Sequence, residues 1–415
     1  MATQIHNLTP DQLGLLPQLR ASYLPPSLST QPRQTFEELS QGLKNGSTDC
    51  LVNAEYTFEG SDGHTRTLRI TAVLFRSEGI VDRMSVVLEV ICICSDAEKC
   101  GWHGRSLVLK VSFPGVNREP EDKLIAKAQN TAQQKSAHWA LNHLPNLLDS
   151  ITLVYKDDTP QVKLREHSKA EGITGYEERA VHVAILEKLE TLNTLTSMKG
   201  YAQIFYDILQ IHRWLYEEAK ILHRDLSPGN IMLRRIEDKI YGVLNDFDLA
   251  SSIPRTGGAT SNQCTGTRPY MALDLLDDDG WYFGHMYRHD LESLFYIILC
   301  FACRYEAPGK HCRDPPFSKW FTGTDADVLN AKNKFITRGQ VSAIPIQRHF
   351  RFFELWLEGM FLIIRRGYRN QADYQDNQKQ GVEFDQETLG GELTYQKVKT
   401  LMSSYNGEAL ETRWT

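Results

Sequence analysis

Between residues 201 and 248 the chain changes its period twice. The short polar string at the change constrains the fold more than any other feature of the 415 residues. Tyr201, Ile204, Phe205, Ile208, Ile211, Leu215 and Ala219 recur every three or four positions, as on the packed face of a helix. Ile231 to Leu233 and Tyr241 to Leu244 instead read as the strands of a short hairpin. The string His223-Arg224-Asp225-Leu226-Ser227-Pro228-Gly229-Asn230 must then hang between helix and hairpin, and Asp246-Phe247-Asp248 must leave the hairpin's far end. An aspartate, an amide five residues on and a second carboxylate are thereby expected to converge. Their hard oxygens are the kind that Mg²⁺ takes, alongside several waters.

Ahead of this helix the pattern is strand-like. Leu51 to Phe58, Leu68 to Phe75, Ser85 to Cys94 and Ser106 to Phe113 are rich in β-branched and aromatic residues, with a Ser61-Asp62-Gly63 turn, and predict an antiparallel sheet. Pro120 to His143 reads as helix, with Pro120 suited to its first turn. Ile151 to Tyr155 and Ala180 to Glu187 read as strands on either side of a polar loop. Arg366 to Asp385 reads as a long loop, and Thr394 to Ser403 as a closing helix. A sheet-rich part followed by a helical part is expected: an extension over 1–50, a first lobe over 51–187 and a second over 188–415. At 41% hydrophobic and 24% charged, with net charge -6 and no basic footprint, the composition argues against nucleic acid as a partner. The N-terminal residues lack a signal-peptide pattern, and no apolar run is long enough to span a bilayer, so an intracellular, non-membrane protein is expected.

Phosphoryl transfer asks little covalent work of a protein; it asks for positioning and for neutralisation of charge on the phosphate oxygens. Asp225 suits the base that accepts a hydroxyl proton, and Asn230 and Asp246 suit ligands to the cation; residue types and spacing resemble the catalytic and metal-binding loops of protein kinases. Gly266-Thr267-Arg268-Pro269-Tyr270-Met271-Ala272 resembles their peptide-docking segment, and Asp290-Leu291-Glu292-Ser293 opens an apolar helix as in their large lobe, although Asp290 also reads as a helix cap. Leu107-Val108-Leu109-Lys110-Val111 reads like the strand whose lysine grips the α and β phosphates. Glu121 is the preferred partner of Lys110 and Glu119 its rival, while Gly79, Glu187 and Leu189 complete the expected nucleotide-binding set. Over roughly residues 50 to 405 the chain resembles the fungal-type protein kinase family. The likeness is carried by Leu222 to Ser227, Asn230 to Leu233, Asp246 to Ala250, Asp290 to Ser293 and Glu387-Thr388-Leu389-Gly390-Gly391. It implies an α+β, protein-kinase-like bilobal fold, with a small antiparallel β lobe plus one helix and a large, mainly α-helical lobe. It also implies ATP and Mg²⁺ as cofactors and Ser/Thr hydroxyls of a protein substrate as acceptors; Thr267 in place of proline favours Ser/Thr over Tyr. It names no substrate and sets no oligomeric state.

Three departures bear on activity. The segment Gly79 to Ser85, where a phosphate-covering loop belongs, is poor in glycine and carries Asp82, which predicts weaker ATP binding. Ser227 stands where most Ser/Thr kinases place a lysine, as it does across the fungal-type family, and Asp248 replaces the glycine after Asp-Phe. A pseudokinase that binds partners without transferring phosphate stays open, and so does a small-molecule phosphotransferase with a similar double-acidic loop. Thr256, Thr260 and Ser261 are available as phosphosites that Arg224 could pair with, against a plain solvated loop. Cys92, Cys94, Cys100 and His103 lie within twelve residues. Their spacing favours ordinary strand cysteines over a zinc knuckle, in which at least two residues usually lie between paired cysteines. Cys300 and Cys303 are expected to be buried in a helix.

Overall fold

The computed structural model describes residues 51–77, 85–94, 100–153, 160–172, 177–254, 266–277, 284–377 and 383–414. The extension over 1–50, the glycine-poor stretch from Gly79 to Met84, and Thr256, Thr260, Ser261 and Cys264 lie outside these residues. In chain order, strands β1 (Glu55–Glu59), β2 (Thr65–Arg76), β3 (Ser85–Cys92) and β4 (Ser106–Ser112) precede helices α1 (Glu121–Gln134) and α2 (His138–Leu141). Strand β5 (Leu147–Leu153), helix α3 (Pro160–Ala170) and strand β6 (Val181–Glu187) follow, then β7 (Glu190–Thr191), α4 (Met198–Trp214), β8 (Ile221–Leu222), β9 (Ile231–Ile236), β10 (Lys239–Leu244) and β11 (Ser251–Ser252). The remaining helices are α5 (Tyr287–Arg304), α6 (Ser318–Thr322), α7 (Asp325–Arg338), α8 (Glu354–Asn377) and α9 (Tyr395–Met402).

The chain folds as two compact units. One contains β1–β4 with Asn146–Lys188; the other contains Glu119–Pro145 with everything from Leu189 onward, so α1 belongs with the helical unit. In the first unit six strands pair in the order β1-β2-β3-β4-β6-β5, every pairing antiparallel. Alternation sets its core. Tyr56 and Phe58, Leu68 and Ile70, Leu88 and Val90, and Leu107, Leu109 and Val111 turn the same way from successive strands into one apolar cluster. Lys110 stands on the other face of β4, paired in register with Val87 and Ala184, yet is only 6% exposed.

In the second unit α4 is buried on nearly every side, from Tyr201 to Trp214, after a Ser197 cap that accepts from the Gly200 N–H at 3.3 Å. Its Asp207 accepts the Gly242 N–H at 3.1 Å, and a Cβ on Gly242 would stand 3.0 Å from the Ile204 carbonyl oxygen. Glycine lets the β9–β10 hairpin lie this close to α4 without a Cβ pressing on the Ile204 carbonyl. Helix α5 is buried along almost its whole length, which includes Asp290 and Glu292. Cys300 and Cys303 are buried in α5 as expected.

Two stretches read as loop are helical. Pro160–Ala170 forms α3, and residues 366–377 continue α8. Lys, Arg, Glu and Gln are good helix formers that need no apolar stripe, so polarity alone did not separate a solvated helix from a loop. In α8 the packed residues are Trp356, Leu357, Met360, Phe361, Ile363, Ile364 and Gly367, and the helix runs on past them.

Lys332 of α7 is wholly buried. Its Nζ donates to the Met271 carbonyl at 2.5 Å and stands 3.7 Å over the Tyr296 ring, while burial lowers its pKa to about 7. The folded chain therefore sheds a proton that the unfolded chain keeps up to the ordinary lysine range. Stability gained from this group rises as pH increases from about 7 and is flat below that. Relative to Lys332→Met, denaturation of the unaltered chain should show a stability slope approaching about 1.4 kcal/mol per pH unit above neutrality. Parallel pH profiles for the two proteins would overturn the assignment.

Candidate active site

The polar string begins where α4 ends. A single π-helical turn, Leu215–Ala219, closes on Lys220 in the left-handed region at φ 56°, which turns the chain into β8. His223 follows, 1% exposed, its Nε2–H donating to the Asn245 carbonyl at 3.0 Å and its ring edge-on to Phe247. Burial lowers its pKa to about 4, so it is neutral and acts as a strut between the two loops.

Arg224 takes the left-handed conformation at φ 70°, and its N–H donates to Asp290 Oδ2 at 2.9 Å. Asp290 also accepts from His212 Nε2 and His285 Nε2, each at 2.8 Å, and is fully buried. Burial by itself raises its pKa, but the two imidazoles overcome this and hold it well below the carboxylate range. It lies inside the first turn of α5, three residues past Tyr287; the cap reading is thus corrected, because its oxygens accept from the Arg224 N–H and two histidines. Neither His212 nor His285 was distinguishable in the sequence from an ordinary helix or loop histidine.

Asp225 is gripped at both oxygens. Its Oδ1 accepts from the Thr267 N–H and the Thr267 hydroxyl, both at 2.9 Å, and its Oδ2 accepts from Asn230 Nδ2 at 3.2 Å. The same Asn230 nitrogen donates to the Asp225 carbonyl at 2.8 Å, so Oδ1 is the atom that Asn230 presents to a ligand. Burial, with the nearby Asp246 charge second, raises the Asp225 pKa to about 6. Gly266, at φ 140°, lets the chain reach Thr267 without a Cβ pressing on Met271.

Asp246 is also left-handed, at φ 65°, and its Oδ1 accepts the Asp248 N–H at 3.2 Å. The Phe247 N–H donates to Glu121 Oε1 at 2.8 Å, and the Asn245 N–H to the Asn230 carbonyl at 2.9 Å. Carboxylate oxygens of Glu121, Asp246 and Asp248 lie within 4.8 Å of one another. Of the two rivals for the early-helix acid, Glu121 is 3% exposed at the start of α1, whereas Glu119 faces solvent.

The second unit thus assembles His223, Arg224, Asp225, Asn230, Asp246, Thr267, Asp290 and Glu121. Lys110 and Glu187 belong to the first unit, Leu189 opens the second strand-to-helix stretch at 9% exposure, and Gly79 is outside the described residues.

A family model for fungal protein kinases matches residues 42–303, more than half of the chain. The chain belongs to the fungal protein kinase family. It is similar to the "Kinase and exchange factor for Rac B" of Dictyostelium discoideum, 34% identical over 99 residues, 23% of this chain and 8% of that protein. It is also similar to the "Serine/threonine-protein kinase CHK1" of Saccharomyces cerevisiae, 30% identical over 114 residues, 26% of this chain and 21% of that one. A third relative is the bovine "Inhibitor of nuclear factor kappa-B kinase subunit beta", 33% identical over 85 residues, 19% of this chain and 11% of that one. The chain thus spans between 8 and 21% of the length of these curated relatives. A solved structure titled "Structure of vaccinia related kinase 3" aligns with TM-score 0.45 and 12% identity, covering 82% of this chain and 96% of that one.

The α+β fold of this family member has the antiparallel sheet and the helical part that the sequence led one to expect. No described helix is long and apolar enough to cross a membrane. The donor set suits a hard divalent cation. Asn230 has its nitrogen committed and its oxygen available, and Asp246 stands among carboxylates whose mutual repulsion a cation would relieve. Ser227, 5% exposed within the loop, brings a hydroxyl and no charge. Asp248, in place of a glycine, adds a third acid beside Glu121 and Asp246.

Proposed function

We propose that this fungal protein kinase is an active, ATP- and Mg²⁺-dependent enzyme that phosphorylates Ser or Thr hydroxyls of protein substrates. The observation that carries the reading is the fixed Asp225 carboxylate, held by Thr267 and Asn230 beside Asp246. A carboxylate held this way is oriented to accept the acceptor hydroxyl's proton, and its raised pKa makes it a better base than a solvated aspartate. Asn230 and Asp246 would hold Mg²⁺, with Asp248 and Glu121 close by; bound there, the ion would supply neutralisation of the phosphate charge. Lys110 would hold the α and β phosphates. Thr267, bonded to the base, belongs to the segment that resembles a peptide-docking element, which supports a protein hydroxyl as acceptor.

Incubation with labelled ATP, Mg²⁺ and a degenerate peptide pool tests this directly. Ser or Thr peptides should gain label, and Lys110→Met should lower incorporation by roughly a hundredfold or more. Label on small alcohols or sugars alone would favour the phosphotransferase reading. The glycine-poor sequence from Gly79 to Ser85 supports a second reading, a pseudokinase. On that reading peptides stay unlabelled, and nucleotide fails to raise the melting temperature with or without Mg²⁺.

A further inference from the structure

We infer that the first unit carries a zinc site built from Cys92, Cys94 and Cys100, separate from the nucleotide chemistry. The three Sγ atoms form a triangle with sides of 3.0, 3.2 and 3.4 Å, and the residues are 1, 8 and 6% exposed. Cys92 ends β3, and Cys94, two positions on, turns to the same side of the extended chain. Cys100 is brought back by the connection to β4, where Gly101 and Gly104 take φ 66° and 72° and the Gly104 N–H donates to the Cys92 carbonyl at 2.9 Å.

Packing does not account for the triangle. Apolar atoms settle about 3.5 to 4.0 Å apart, and a thiol is too weak a donor to draw three sulfurs closer. A disulfide needs about 2.05 Å and has no place for a third sulfur. Zn–S bonds of about 2.3 Å in a tetrahedron put sulfurs about 3.8 Å apart, so the triangle need open by only about half an ångström. Thiolate donors select zinc among the divalent ions of the cell that are not redox-active.

The surroundings fit such an ion. His103 Nδ1 lies 2.9 Å from the Cys94 carbonyl, the bond by which a protein orients an imidazole beside a metal, and Cys100-Gly101-Trp102-His103 has the two-residue gap of zinc ligand pairs. Buried Arg66, ion-paired with Asp62, donates to the Cys100 carbonyl at 3.3 Å and stacks 4.0 Å over Trp102, which fixes the backbone that carries Cys100 beside the other two sulfurs. The fourth position of the tetrahedron falls to His103 or to solvent. The sequence spacing had favoured plain strand cysteines because Cys-x-Cys is too tight for a knuckle; the extended strand end solves this by using alternate residues. Loading of the ion releases the thiol protons and pins the end of β3 to the start of β4, the strand that carries Lys110.

Elemental analysis of the full chain, purified without chelator, should find about one zinc per chain. Blocking the thiols with a mercurial should release it to a metallochromic indicator. Cobalt(II) exchanged into the site should give sulfur-to-metal charge-transfer absorption, which Cys92→Ser and Cys100→Ser both abolish. Zinc at background level after dialysis from a zinc-containing buffer overturns the site, as does peptide mapping that finds a disulfide joining two of these three cysteines. These readouts on the unaltered chain need no folded variant and no kinase activity.

Discussion

Asp225→Asn should remove phosphoryl transfer and leave a chain that melts no lower than the parent. General-base catalysis contributes roughly 10² to 10⁴ in rate, and the fall should appear in kcat, with nucleotide affinity kept, because Asp225 faces the acceptor hydroxyl and not the nucleotide in the proposed scheme. Stability holds for a local reason. Burial and the Asp246 charge make the ionised carboxylate costly in the folded chain, which its pKa of about 6 records, and a neutral amide escapes both. Its Oδ1 still accepts from Thr267; the new amide nitrogen faces Asn230 Nδ2, two donors that must part slightly, a cost limited because the Asn230 nitrogen keeps the Asp225 carbonyl at 2.8 Å and set against the relieved buried charge. Equal incorporation by parent and Asp225→Asn would end the kinase reading.

Asp290→Ala should have the opposite profile, a large loss of stability. Three donors, the Arg224 N–H, His212 Nε2 and His285 Nε2, lose the carboxylate that accepts from them, where Asp290 is fully buried and His212 nearly so. Removing one member of a buried charged network costs roughly 3 to 5 kcal/mol, a large share of the 5 to 15 kcal/mol that holds a typical domain together. The melting temperature should drop on the order of 10 °C. Asp290→Asn, which keeps acceptor oxygen but loses charge, should fall between the two. Denaturation of Asp290→Ala within about 1 kcal/mol of the parent would show that the network is not the anchor described.

How much of this was legible in the sequence differs from element to element. The α4 stripe, the β9–β10 hairpin and the strand with Lys110 were readable because burial imposes a period, and periods survive in one dimension. The α3 helix and the far half of α8 were not, since a helix with little to bury has no stripe to display. At the site, the residue types and spacing of Asp225, Asn230 and Asp246 were informative. The role of Asp290 was hidden, because its partners come from positions 212, 224 and 285 and no local pattern joins them. The cysteine triangle was not legible from spacing, which counts residues along the chain and does not show that the extended end of β3 turns Cys92 and Cys94 to one side.

The left-handed backbone at Asp246 makes loss of function inexpensive. A side chain at φ 65° is tolerated best by glycine, asparagine and aspartate. A single exchange there can delete the proposed cation ligand while leaving the loop as relaxed as before, or more so. Folding therefore places little check on the most damaging change this site can suffer, and a lineage of such chains could drift from catalyst to binding platform with its architecture intact.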